Sequence, residues 1–177
     1  MRLWYDERGF TLVEMVVTSL ILVLALGGTY TLLFGGLNSF RMGEARVDNQ
    51  QNVRAALNSI LREVRSARKV YPQNSIYADI EGIRYYAGPL NLFIEDSGKR
   101  TIVYYWKNKE IRRSVKDAGG ISYYGHNAIA YEVPGDGLSF EYSGDPIKTV
   151  TVRVKAVDSQ DKEFVLSSKS TLRVLGN

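Results

Sequence analysis

The order of apolar and polar positions divides the chain into three regimes. The first nine residues, MRLWYDERG, carry Arg2, Asp6, Glu7 and Arg8. Residues 15–40 then run for 26 positions without a charged side chain and are rich in Leu, Val and Ile. About 20 residues of helix cross the hydrocarbon core of a bilayer, so this run is long enough to span one. Thr18, Ser19, Thr29 and Thr31 do not forbid insertion, because their hydroxyls can bond back to the helix backbone. A helix buried inside a soluble protein is a competing reading, but the rest of the chain is too small to surround so long an apolar helix. A secretory signal peptide is another, and it requires an apolar stretch of about 7–15 residues followed by a small-residue cleavage site. Here the stretch is longer, and the distinctive residues come before it.

The second regime keeps a helical period. Residues 44–70 contain neither Pro nor Gly, and Val53, Leu57, Ile60, Leu61 and Val64 form one apolar stripe beside Arg46, Asn52, Asn58, Arg62, Glu63 and Arg65. This spacing predicts an amphipathic helix over 44–70 that lays its stripe on a sheet. It ends where Pro72 biases Tyr71 out of the helical region. Arg62, Arg65, Arg68 and Lys69 suit the negative end of the helix dipole and need no ligand to explain them. The glycines at 27, 28, 35, 36 and 43 are where the long helix is expected to bend or loosen.

After Pro72 the period changes to two. Residues 83–86, 90–95, 101–106 and 110–115 read as short strands, with Ser97-Gly98 and Lys107-Asn108 turning the chain, so that 91–115 forms two successive hairpins. Residues 116–120 and 124–127 read as loops. Residues 137–142 and 147–157 are further strands across a turn at 143–146, and Val150, Val152, Val154 and Ala156 alternate with polar neighbours. A turn at Ser159-Gln160-Asp161 leads to a last strand over 163–174, with a bulge expected at 167–169. The fold class is α+β, one long N-terminal helix whose second half packs on a mainly antiparallel sheet.

Composition narrows the chemistry. Lys and Arg total 23 against 19 Asp and Glu, for a formal charge of +4 with the signs mixed along the chain, which does not imply nucleic-acid binding. The chain has no Cys, which removes disulfides, zinc–thiolate sites and thiol nucleophiles. One His, His126, sits in a Gly/Asn-rich stretch read as a turn, and a single His cannot build a multi-histidine metal site. No Ser-His-Asp arrangement is visible. Asp79 with Glu81 and Glu95 with Asp96 lie in turns but form no constellation that activates water or a nucleophile. No cofactor, no metal and no enzymatic activity are expected.

The decisive residues are Arg8-Gly9-Phe10-Thr11-Leu12-Val13-Glu14, placed directly before the spanning run. This segment resembles the type IV prepilin family, which includes the pseudopilins of type II secretion. The resemblance implies a leader over 1–9 removed by a prepilin peptidase between Gly9 and Phe10, and N-methylation of the new N-terminus at Phe10. It implies a transmembrane and assembly helix over 10–40 and a soluble pilin-like head over 41–177, with helix 44–70 and a β-rich region over 75–175. Glu14 matches the family glutamate, and a carboxylate at the edge of hydrocarbon needs a partner. In a filament that partner is the α-amine of Phe10 on a neighbouring subunit. Charges flanking the helix are nearly balanced, so a cytoplasmic leader and an extracytoplasmic head rest on the resemblance alone. The implied location is the inner membrane, from which the protein is extracted into a pilus or pseudopilus.

Residues 54–65, the hairpin around 101–105 and 111–113, and Leu138-Ser139-Phe140-Glu141-Tyr142 look like the minor pseudopilins of the J/W type. Major pilins carry a proline in the apolar helix and a C-terminal disulfide, and the major secretion pseudopilin carries a C-terminal calcium loop. Here no Pro precedes Pro72, Cys is absent, and a strand is expected over 163–174. The resemblance therefore favours a minor subunit, with prepilin peptidase, other major and minor pilins or pseudopilins, and the inner-membrane assembly platform as partners. The alternative is a membrane-tethered β-domain that binds carbohydrate, peptide or DNA through Tyr85, Tyr86, Tyr104, Tyr105, Trp106, Tyr123 and Tyr124. Adjacent strand residues face opposite ways, so about half of these are expected in the core.

Overall fold

A computed structural model describes residues 9–157 and 162–173. Its contacts divide the chain into two units, Met1–Gly43 and Glu44–Asn177. Helix α1 spans Leu12–Ser66. It is followed by β1 (Lys69–Val70), β2 (Tyr77–Ile80), β3 (Ile83–Tyr86), β4 (Leu92–Glu95) and β5 (Thr101–Lys107). Then come β6 (Glu110–Lys116), β7 (Tyr124–Ala130), β8 (Leu138–Ser143), β9 (Thr149–Val157) and β10 (Glu163–Thr171). The long apolar helix followed by antiparallel strands is the α+β, type IV pilin-like architecture that the patterning predicts.

In the first unit, the hydroxyls of Thr18 and Thr29 donate to the carbonyls of Glu14 and Ala25, and those of Ser19 and Thr31 to Val16 and Gly27. These four hydroxyls are thus satisfied within the helix, as a bilayer requires. α1 continues through Gly27, Gly28, Gly35, Gly36 and Gly43 as one helix, where the sequence led us to expect loosening.

In the second unit the strands form three sheets rather than one. The largest has the order β1-β4-β5-β6-β7, a second runs β10-β9-β8, and β2 and β3 make a two-stranded ribbon. Val53, Leu57, Ile60, Leu61 and Val64 of α1 are all buried against Leu92, Ile94, Ile102 and Tyr104 of the five-stranded sheet and Phe140, Val152 and Val154 of the three-stranded one. The opposite face of the five-stranded sheet carries Phe93, Val103 and Tyr105, which pack on Ala78, Ile80 and Ala87 at the ribbon. The central strands are therefore covered on both faces. That is why Leu92-Phe93-Ile94 and Ile102-Val103-Tyr104-Tyr105 read as unbroken apolar runs.

Several boundaries differ from the sequence expectation. α1 ends at Ser66 rather than 70, because the N–H of Arg68 donates to Glu95 O and Lys69–Val70 join β4 as an edge strand. Residues 124–127, expected as a loop, open β7, which pairs with β6 through register shifts beside Ile111 and Arg113. The bulge expected at 167–169 is not there: β10 pairs with β9 without interruption from Glu163↔Val157 to Thr171↔Thr149. Strand β10 ends at Thr171, and the 159–161 turn lies outside the described residues.

Candidate functional site

The N-terminal segment is built from a helix start. Gly9, Phe10 and Thr11 precede α1 and have no helical structure, and Phe10 is 77% exposed. Among the described residues, a Cβ at Gly9 would meet nothing within 4 Å, so none of them demands the glycine by packing. Thr11 and Glu14 form a reciprocal cap. The Thr11 N–H and hydroxyl both donate to Glu14 Oε2 at 3.0 Å, and the Glu14 N–H donates to Thr11 Oγ1 at 3.2 Å. This is the capping box of a Thr-x-x-Glu start, and it satisfies two otherwise unpartnered donors of the helix N-terminus. The Thr11-Leu12-Val13-Glu14 string carries that signal in plain sight, although sequence reasoning assigned Glu14 alone.

Beyond the cap, residues Leu12–Arg41 are long and apolar enough to cross a membrane, and their most apolar window is wholly unburied. Thirty residues make about 45 Å of helix, against a hydrocarbon core of ~30 Å. A core helix of a soluble protein would be covered by its own fold. Leu12, Leu24, Leu32 and Phe40 are instead all exposed.

The other candidate residues scatter. Tyr104 and Tyr105 are both fully buried, one on each face of the central sheet, so neither can line a surface. Tyr85, Trp106 and Tyr123 are partly buried, Tyr85 packing on Tyr105 with ring centroids 4.5 Å apart and the rings tilted by 49°. Tyr86 and Tyr124 remain exposed. The acidic pairs are held by cations: Asp79 by Arg84, Glu81 by Lys107, Glu95 by Arg68 and Asp96 by Arg100. Hydrogen bonds from Arg84 and Lys107 hold the Asp79 and Glu81 carboxyls below their ordinary range.

His126 lies on β7 rather than in a turn. Its Nδ1 is 2.7 Å from Ser114 Oγ on β6, and the Tyr105 hydroxyl is 3.3 Å from the same oxygen. This Ser–His contact was invisible in the sequence because register alone brings 114 and 126 together. Ser114 is fully buried, so the pair is a polar tie under the ribbon. Among the described residues no cluster of His, Cys, Asp and Glu has the grouping to hold a metal ion.

The family model described as the prokaryotic N-terminal methylation motif matches residues 4–30. That match covers the Gly9-Phe10 step, the Thr11–Glu14 cap and the first half of the apolar run, and it supports a type IV prepilin-like protein. No curated protein and no solved structure matches the chain.

Proposed function

We propose that this chain is a minor pilin or minor pseudopilin subunit. It is cut between Gly9 and Phe10 by a prepilin peptidase, N-methylated on Phe10, and assembled with other pilins or pseudopilins through the inner-membrane platform. Its head lies on the extracytoplasmic side and its role is non-catalytic. The observation that carries this reading is the methylation motif over 4–30 running straight into an exposed, spanning-length helix that precedes an α+β head. The burial of Ser114 and of Tyr104 and Tyr105 supports an assembling rather than a catalytic or aromatic-platform head.

The cap gives the assembly step a physical form. A carboxylate at the rim of hydrocarbon is expensive unless partnered, and in the lone subunit Thr11 partners Glu14 through Oε2. Cleavage creates a charged amine at Phe10. In a filament the amine of one subunit meets Glu14 of the next, a stronger charge-assisted contact than a neutral donor offers. Assembly therefore depends on processing.

In cells that contain the peptidase, intact mass of the membrane-extracted protein should show loss of the first nine residues and gain of one methyl group. Gly9→Val should block this. Glu14→Leu should still be inserted and cleaved, since a more apolar helix inserts more easily. Its recovery in cross-linked complexes with sibling pilins should fall, with Glu14→Asp intermediate. Normal cleavage with undiminished partner recovery in Glu14→Leu would overturn the amine–carboxylate mechanism, and recovery of the uncut chain would overturn the processing.

A further inference from the structure

The head contains a cleft of about 570 Å³ where the edge strand β1 and the segment after it, the β8–β9 turn and the residues following β10 converge. Its apolar lining comes from Val70, Pro72, Pro146, Ile147 and Leu172, of which Val70 and Leu172 are buried and form its floor. Its rim is cationic. Lys69, Lys148 and Arg173 line it, and among the described residues none of the three has a carboxylate within ion-pair distance. Arg68 also lines it but is engaged by Glu95 at 3.4 Å, and the Lys69 ammonium lies 4.8 Å from the centre of the Tyr71 ring. One acidic residue, Asp145 of the turn, also lines it.

From this arrangement we infer that the cleft binds an acidic peptide segment of a partner protein that seats an apolar side chain on the floor. Lys148 and Arg173, without a carboxylate partner among the described residues, and Lys69, held only over the Tyr71 ring, select for negative charge around a small volume, whereas the apolar lining selects for a hydrocarbon group and leaves phosphates or sugars without partners. A nucleic acid or polyphosphate would need a track of cations along the surface. Here the cations ring one cavity of the size that buries a few side chains. The inference rests on the assembly reading only in supplying a reason for the head to meet other proteins.

The test uses the full chain in detergent micelles and a fluorescein-labelled pentapeptide in which glutamates alternate with leucine and phenylalanine. Binding should weaken about tenfold or more when the glutamates become lysines, and again when the apolar residues become serines. Lys148→Glu with Arg173→Glu should weaken it at least as much, with thermal unfolding unchanged because both side chains are exposed. Asp145→Asn should strengthen binding, a sign opposite to that expected from general damage. Added salt should weaken it. No binding, equal binding by the double variant, or displacement of the labelled peptide by polyphosphate as readily as by unlabelled peptide would each overturn the assignment. Peptide failure alongside a Glu14→Leu assembly defect would remove the cleft alone. Peptide binding with normal Glu14→Leu assembly would remove the helix mechanism alone.

Discussion

Asp96 shows how single residues shape the head. It closes the β4–β5 turn by accepting the Arg100 N–H at Oδ1, 2.9 Å, and the Arg100 guanidinium at Oδ2, 2.7 Å from Nη2. Burial by itself would raise its carboxyl, but the backbone N–H and the side chain of Arg100 outweigh that and hold it below its ordinary 3.8. A depressed carboxyl stabilises the fold while ionised, so its contribution is present at neutral pH and is lost as pH falls below about 4. Asp96→Asn should lower stability at pH 7 by up to about 1 kcal/mol and flatten the acid side of the stability profile. Urea unfolding across pH 3–7 would check both, and an unchanged acid limb would show that Asp96 is not responsible for it. Buried polar groups at this scale were not legible in the sequence. The Tyr104 hydroxyl is pushed up by burial and by the Glu63 carboxylate, against a lowering by Arg113, and has no partner at hydrogen-bond geometry among the described residues, whereas Ser114 finds His126.

At the scale of elements, the stripe on α1 carries the packing. Arg113 Nε on β6 reaches Glu63 Oε1 at 3.0 Å, and Ser170 on β10 donates to the Leu61 carbonyl, so both larger sheets are tied to the helix by polar as well as apolar contacts. Leu61 sits in the shared core and is 7% exposed. Leu61→Ala should destabilise the protein by about 2–5 kcal/mol, through lost transfer energy and the cavity left behind. Denaturant unfolding measures this, and a change below about 0.5 kcal/mol would mean that the stripe is a surface. Positions 53, 57, 60, 61 and 64 were legible because burial on one side of a helix imposes a 3.6-residue period. The end of the helix was not. Val70 continues the apolar pattern equally well as a helix or strand residue, and only the free edge of β4 decides for β1.

On the scale of the whole molecule, all residues of both buried clusters fall within 44–177. That segment, expressed without the first 43 residues, should fold alone and unfold in one cooperative transition, as single domains of this size usually do. Circular dichroism during thermal unfolding would check it. A molten or aggregated product would show that the head needs its anchor. The spanning helix, the amphipathic stripe and the hairpins around 91–115 were determined by the sequence itself, because each depends on local periodicity or on residues a few positions apart, and the Thr11–Glu14 cap, though missed, is local in the same way. Tertiary structure alone decided that the strands divide into three sheets, that Tyr104 and Tyr105 are both interior, that Ser114 meets His126, and that Lys69, Lys148 and Arg173 ring one cleft. Those outcomes depend on which layer covers each face of a strand and on contacts between residues far apart in the chain, and neither leaves a periodic mark in the sequence.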